Sequence, residues 1–254
     1  MSVWIIILLG IVQGLTEFLP VSSSGHLVIL EKYFDLNVNT TLLNVVLHFG
    51  TLLAVCIYYR KKIWQLIKHP LSYQTLNLIL ATLPAVIFVL LFNTFVNTNM
   101  NNTIFIGLGF IITAILLIVA ETICRRTYNF ASINQKSSLL MGVAQALAIF
   151  PGLSRSGTTL AFGLLSGVNK EEALDFSFLM SIPIIFGSLI YELFGTPSFD
   201  LINNEEILFL IIGFFVAFVT AMLGINLMQK IVKKMKLWYF VPYLLILGIL
   251  VIVL

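Results

Sequence analysis

The chain is 254 residues long with a net charge of +3; 59% of its residues are hydrophobic and only 10% are charged. Soluble domains carry about 25% charged residues. The composition therefore excludes a soluble globular protein, a disordered chain, a disulfide scaffold and a nucleic-acid-binding domain. It predicts an all-α polytopic membrane protein, because lipid then solvates most of the surface.

Six long apolar runs predict transmembrane helices. Each has roughly the 17–25 residues that a membrane-spanning helix needs, and the last run is marginal in length. In chain order they are Leu42–Tyr59, Leu76–Phe95, Ile104–Ala120, Phe176–Phe194, Ile207–Met228 and Tyr239–Leu254.

Two further apolar runs are interrupted by polar residues. Val3–Val21 leads into the sequence SSSGH and resumes at Leu27–Leu30, whereas Leu139–Phe150 breaks at a Pro-Gly pair and resumes at Leu160–Val168. Non-helical backbone at membrane depth is tolerated only inside protein or beside a water-filled cavity. These two segments are therefore the predicted location of a polar site.

The distribution of basic residues predicts the orientation. Twelve of the 14 Lys and Arg residues lie in four connecting segments, which the positive-inside rule assigns to the cytoplasmic side. The segment Leu139–Val168 then begins and ends inside, which predicts a re-entrant hairpin. By analogy, Val3–Leu30 is predicted to be a hairpin that enters from outside; the alternative is that Val3–Val21 simply spans the membrane. The four basic segments are Arg60–Tyr73, Glu121–Ser138, Asn169–Asp175 and Gln229–Trp238.

An internal repeat supports two related hairpins. A shift of 132 residues gives seven identities in the 19 pairs from Gly10 to Val28, including Gln13 with Gln145 and Gly25 with Gly157. Hairpins that enter from opposite faces form an inverted-topology repeat, which brings broken helices together near the midplane. We predict one membrane domain, residues 1–254, with repeats at about 1–120 and 139–254.

The first interrupted segment carries groups that suit metal binding and catalysis. Glu17 and Gln13 are four residues apart on one helix face, and their oxygens suit a hard divalent cation whose shell substrate and water complete. The hydroxyls and imidazole of Ser22–His26 suit ligand binding, nucleophilic attack or acid–base chemistry. The alternative is that the serines only satisfy backbone groups at the helix break.

The second interrupted segment places Arg155 among hydroxyls and glycines where a helix begins. A guanidinium and the N–H groups of a helix N-terminus both bind phosphate oxygens. Opposite a carboxylate, this arrangement predicts a phosphate or diphosphate bridged by Mg²⁺ or Ca²⁺. A structural ion pair between Glu17 and Arg155 is the alternative, and the two interpretations are compatible. We expect His48 to be a hydrogen-bonded structural histidine, and Glu121 and Glu192 to be solvated helix ends.

Two motifs, QGLTEFLPVSSSGH (Gln13–His26) and PGLSRSGTT (Pro151–Thr159), resemble the signatures of the undecaprenyl-diphosphatase, or bacitracin-resistance, family. The resemblance extends over the whole chain. It implies six spans plus two re-entrant hairpins in the cell membrane, and a divalent-cation-dependent phosphatase whose site opens to the extracytoplasmic side. Such an enzyme cleaves the terminal phosphate of undecaprenyl diphosphate, so that the lipid carrier is reused in cell-wall synthesis. The alternative function is a transporter, or flippase, of polyprenyl phosphate lipids.

The resemblance also implies roles for individual residues. Gln13 stands where many members have Glu, and Ser24 where the family typically has Thr. Whether Ser23 attacks covalently or water attacks directly stays open. We expect a polyprenyl diphosphate substrate, membrane lipids as surroundings, no nucleic-acid partner, and a homodimer as the candidate oligomer. The implied catalytic residues are Glu17, Ser23, His26 and Arg155; the phosphate-binding residues are Ser22, Ser24, Ser154, Arg155, Ser156, Thr158 and Thr159; and the metal ligands are Glu17 and Gln13.

Overall fold

A computed structural model describes residues 2–36, 40–99, 102–126, 131–195, 204–234 and 236–253. Within these residues the chain forms eleven α-helices, and a 3₁₀ turn at Leu237–Phe240 precedes the last of them. The helices are α1 (Val3–Phe18), α2 (Ser23–Tyr33), α3 (Thr40–Tyr58), α4 (Arg60–Lys68), α5 (Tyr73–Asn99), α6 (Thr103–Arg126), α7 (Gln135–Leu147), α8 (Arg155–Leu165), α9 (Lys170–Gly195), α10 (Asn204–Lys233) and α11 (Val241–Val253).

Five helices in the described part of the chain are long and apolar enough to cross a membrane: α3, α5, α6, α9 and α10. The sixth predicted span corresponds to a shorter apolar stretch, Leu237–Val253, formed by the 3₁₀ turn and α11. The protein is therefore an all-α polytopic membrane protein, as its composition predicts.

Both interrupted segments are broken helices, and a proline lies within each break. The α1 helix ends at Phe18, two residues before Pro20, and α7 ends at Leu147, shortly before Pro151. Proline cannot donate a backbone hydrogen bond, and it disfavours helical geometry in the residue that precedes it. The chain resumes as α2 and α8 after serine N-caps, which accept hydrogen bonds from helical N–H groups that would otherwise be unpaired.

The ends of the α7–α8 hairpin are joined to each other. Ala131 and Val168 form an isolated parallel bridge. The N–H of Ala131 donates to the carbonyl of Gly167 at 2.9 Å, and the N–H of Asn169 donates to the carbonyl of Ala131 at 3.1 Å. The chain therefore enters and leaves this hairpin at one place.

The helices pack so that α8 lies against α6, α7 and α9. The α1 helix packs along α10, α5 along α7, and α6 along α11. Phe18, Phe110 and Phe178 are among the largest fully buried side chains, and the rings of Phe18 and Phe178 meet edge to face at 5.1 Å. The apolar core therefore directly adjoins the two helix breaks.

The contact between α7 and α5 depends on a glycine. A Cβ atom at Gly142 would overlap the backbone of Ala81, whereas a Cβ at Gly187 in α9 would meet nothing within 4 Å. We predict that Gly142→Ala lowers the free energy of unfolding by about 1–3 kcal/mol through overpacking. Gly187→Ala, the matched control, gains about 1 kcal/mol or less from helix propensity. Thermal unfolding in detergent measures both, and equal midpoints would contradict the prediction.

Candidate active site

The two helix breaks contact each other inside the protein. The hydroxyl of Ser156, in the first turn of α8, donates to the carbonyl of Leu19 at 2.8 Å. Gly152 lies at the second break with φ +79°, and a Cβ there would overlap the backbone of Ile106. Only glycine accommodates both the positive φ and this close approach. The sequence repeat is thus matched by a direct contact between its two copies.

Glu17 is the centre of this contact. It is 7% exposed near the end of α1, and one carboxylate oxygen, Oε1, accepts a hydrogen bond from the guanidinium of Arg155. The other oxygen, Oε2, accepts from the hydroxyl of Ser23 at 2.6 Å and from the amide of Gln13 at 3.0 Å. Three donors, one of which is a cation, compensate a charge that would otherwise be very costly to bury.

Two polar atoms beside this pair have no hydrogen-bond partner. They are Nη1 of Arg155 and Oε1 of Gln13, and both are buried. Buried polar groups are nearly always hydrogen-bonded, so an unpaired donor and an unpaired acceptor in one site need an explanation. A bound anion and a bound cation, respectively, are the ligands that these two atoms suit.

The side chains at this site could supply only part of the ligand shell of the predicted divalent cation. Within the described residues, no group of three or more His, Cys, Asp and Glu side chains could hold a metal ion. Glu17 nevertheless offers carboxylate oxygens and Gln13 an unpaired amide oxygen, and oxygen is the ligand atom that hard cations prefer. The residues present therefore fit a divalent cation whose remaining ligands come from substrate and water.

The predicted phosphate-binding hydroxyls divide into different environments. Ser22 and Ser154 are the N-caps of α2 and α8, and their hydroxyls accept from the N–H groups of Gly25 at 3.4 Å and Gly157 at 3.2 Å. The N–H of Ser154 is itself bonded to the hydroxyl of Thr113 at 3.0 Å.

Ser156 donates to Leu19, and three further hydroxyls complete this set. Ser24 lies 3.4 Å from the hydroxyl of Ser22. Thr159 is bonded to Ser177 of α9 at 2.6 Å, which engages its hydroxyl away from Glu17. The hydroxyl of Thr158 is buried without a partner. Ser23 is thus the predicted hydroxyl that contacts Glu17 directly.

His26 and His48 differ in how close they lie to Glu17. His26 contacts Ser22 of its own turn, Phe110 of α6 and Tyr243 of α11. His48, expected to be a hydrogen-bonded structural histidine, is bonded through Nδ1 to the carbonyl of Asn44 at 2.8 Å. Its Nε2 also lies 3.9 Å from Oε2 of Glu17. An ionisable residue within an apolar run indicates a functional position, and His48 is such a residue.

Glu121 and Glu192 were both expected to be solvated at helix ends, and the structure describes the side chain of Glu121. Glu121, expected to be solvated, is 3% exposed and accepts from the N–H of Trp238 at 2.9 Å. That expectation is wrong because the turn before α11 covers the end of α6. The side chain of Glu192 lies outside the described residues.

These helices and this site define a polytopic membrane protein whose buried polar centre pairs a carboxylate with a guanidinium at two broken helices. A family model described as "Bacitracin resistance protein BacA" matches residues 6–250. The chain belongs to this family.

Three similar proteins match this chain over almost its full length. An undecaprenyl-diphosphatase of Carboxydothermus hydrogenoformans is 39% identical over 250 residues, covering 98% of this chain and 95% of the relative. One from Methanococcus vannielii is 40% identical and covers 93% of this chain and 94% of the relative. Undecaprenyl-diphosphatase 1 of Shouchella clausii is 36% identical, with coverages of 99% and 96%.

Thr113 supports the second helix break, and Thr82 provides a matched control. Each hydroxyl donates to the carbonyl four residues earlier at 2.8 Å, but of the two only Thr113 also accepts from Ser154. We predict that Thr113→Val lowers the free energy of unfolding by about 1–3 kcal/mol, because it leaves a buried N–H unpaired. Thr82→Val should change it little. Thermal unfolding in detergent measures both losses, and similar values would show that the bond to Ser154 does not stabilise the fold.

Proposed function

We propose that this protein hydrolyses undecaprenyl diphosphate to undecaprenyl phosphate and inorganic phosphate, and so recycles the lipid carrier for cell-wall synthesis. The observation that carries the proposal is the contact of Glu17 with both Arg155 and Ser23. It joins an acid, a phosphate-binding cation and a nucleophile at one buried point. The names of the related proteins support the choice of substrate.

The roles follow from the chemistry of these groups. The Ser23 hydroxyl attacks the terminal phosphorus, its proton passes to the Glu17 carboxylate, and the bond to the leaving undecaprenyl phosphate breaks. Water then cleaves the phosphoserine to release phosphate. Arg155 turns its unpaired N–H groups to the phosphoryl oxygens, where negative charge grows in the transition state. Our proposal gives His26 an indirect part in proton transfer: its two ring nitrogens are bonded to Ser22 and Tyr243, so it acts on the turn that presents Ser23.

We propose that the surrounding hydroxyls and the metal ligands complete the site. Glu17 and Gln13 would hold Mg²⁺ or Ca²⁺, which would supply charge neutralisation at the diphosphate oxygens. The N-terminus of α8 contributes N–H groups and hydroxyls to phosphate binding. The proposed phosphate-binding hydroxyls are those of Ser22, Ser24, Ser154, Ser156, Thr158 and Thr159.

For the architecture, we propose six spans and two re-entrant hairpins in an inverted repeat. Two pairs of contacts support this. A Cβ on Gly25 would lie 3.2 Å from Cα of Gly152, and one on Gly157 would lie 3.0 Å from Cβ of Pro20. The 132-residue shift maps Gly25 onto Gly157 and Pro20 onto Gly152, so these contacts are equivalent.

Helix packing supports the same symmetry. The α1 helix packs along α10, and α7, its counterpart, packs along α5. In each half, the first helix of the hairpin would thus pack along the equivalent long helix of the other half, α10 for α1 and α5 for α7. From the positions of the basic segments, we propose that the joined ends of the α7–α8 hairpin lie on the cytoplasmic side. The proposed enzyme lies in the plasma membrane as a homodimer, and its site opens to the extracytoplasmic side.

Transport of polyprenyl phosphate lipids is a second candidate function. Inverted repeats that pack against each other around broken helices are an architecture found in transporters. A transport site does not require a nucleophile held against a carboxylate, however, so the contact between Ser23 and Glu17 favours hydrolysis.

A phosphate-release assay tests the proposed function. Purified protein in detergent with undecaprenyl diphosphate and Mg²⁺ should release inorganic phosphate, and excess chelator should abolish the release. Glu17→Ala and Arg155→Ala should lower the rate by at least about 100-fold while the protein stays folded, because each removes a main electrostatic group of the site.

Two surface variants serve as controls. Glu171, whose side chain is 55% exposed, pairs with Lys233 at 4.0 Å, and Arg60 is exposed on α4. Glu171→Ala and Arg60→Ala should retain wild-type rates. No phosphate release by the wild type would contradict hydrolysis and favour transport, whereas near-normal rates in the Glu17 or Arg155 variants would contradict the assigned roles.

The role of Ser23 has a separate test. If Ser23 is the nucleophile, Ser23→Ala should lose nearly all turnover, and rapid quenching of the wild type with substrate labelled in its terminal phosphate should trap phosphoserine. A Ser23→Ala variant that retains most of its turnover would instead indicate direct attack by water.

A further inference from the structure

His26 is held by a tyrosine from the opposite end of the chain. Its Nδ1 lies 2.7 Å from the carbonyl oxygen of Ser22. Its Nε2 is hydrogen-bonded to the hydroxyl of Tyr243, 217 residues further along the chain in α11. No sequence motif discussed above includes Tyr243.

These two contacts determine where the ring carries its proton. A carbonyl oxygen only accepts hydrogen bonds, so Nδ1 must be the donor to Ser22. In the neutral ring Nε2 is then the acceptor, and the hydroxyl of Tyr243 donates to it. The tyrosine therefore stabilises one tautomer of His26.

The His26 ring is also fixed in orientation by two aromatic rings. Tyr243 stacks on it at 5.7 Å with an interplanar angle of 15°, and Phe110 meets it edge-on at 5.3 Å. Phe110 is fully buried, whereas Tyr243 is 48% exposed. Removing the Tyr243 hydroxyl therefore leaves the packed core unchanged.

The bond from His26 to Ser22 acts on the turn that presents Ser23. Ser22 has φ +67°, a conformation that non-glycine residues rarely adopt. Such strained backbone persists only when the surroundings hold it in place. His26 binds the Ser22 carbonyl through both its ring and its own N–H, the latter at 3.3 Å. The next residue, Ser23, is the one whose hydroxyl reaches Glu17.

We propose that Tyr243 is a positioning residue for the hydrolytic site. Its hydroxyl holds His26 as the Nδ1-protonated tautomer, His26 holds the Ser22 turn, and the turn holds the Ser23 hydroxyl against Glu17. Tyr243 itself touches none of the reacting atoms. The inference rests on the proposed function, since it assigns Tyr243 to the same site.

The first test is Tyr243→Phe, which keeps the ring and removes only the hydroxyl. The loss of one such hydrogen bond should lower kcat for phosphate release roughly 3- to 10-fold and change KM little. Tyr239→Phe is the matched control, because Tyr239 is 49% exposed in the turn before α11, and it should keep the wild-type kcat.

A double-mutant cycle tests whether Tyr243 acts through His26. If it does, Tyr243→Phe should cause no further loss of kcat in a His26→Gln background. A full additional 3- to 10-fold loss in that background would overturn the proposal.

A spectroscopic measurement gives a readout independent of activity. The chain has three histidines, so the ¹⁵N ring signals of His26 can be identified by their loss in His26→Gln. We expect Nδ1 to be protonated in the wild type and the tautomers to be mixed in Tyr243→Phe. An unchanged ring spectrum or an unchanged kcat in Tyr243→Phe overturns the proposal. If the wild type releases no phosphate, the proposed function fails by itself, and the ring spectrum still decides the hydrogen bond between Tyr243 and His26.

Discussion

The buried ion pair between Glu17 and Arg155 is the interaction on which the rest of the site depends. Each charge comes from a different half of the chain, and each alone would be expensive in a low-dielectric interior. Their side chains are only 6% and 14% exposed, respectively. The pair therefore requires the two helix breaks to stay in contact, and the site exists only when both halves are folded together.

The breaks themselves are stabilised by small polar side chains. Ser22 and Ser154 cap the helices that follow, and Thr113 satisfies the N–H of Ser154 from a neighbouring helix. These bonds satisfy backbone groups that the protein interior shields from water. The capping that permits each break also leaves Ser23 and Arg155 in the first turns of their helices, with their side chains directed to Glu17.

The sequence predicts which groups gather at the candidate site but not all of their contacts. Glu17 and Arg155 were recognisable as charges in apolar surroundings, and the prolines and serines around them marked the breaks. His48 carried the same signal, yet only the structure places it 3.9 Å from Glu17. Tyr243 carried no signal, since a tyrosine in an apolar helix is common at membrane interfaces. The burial of Glu121 is not apparent in the sequence, because it depends on the turn that precedes α11.

Composition and local sequence are enough to predict a membrane protein, its apolar helices, the two breaks and the chemical types gathered there. These properties depend on composition and on residues close together in the chain. Only the tertiary structure decided which groups meet: Arg155 with Glu17, Ser154 with Thr113, and Tyr243 with His26. Such contacts join residues far apart in the chain, and they are set by how α6, α8, α10 and α11 pack around α1 and α2. A single sequence contains no direct record of that packing.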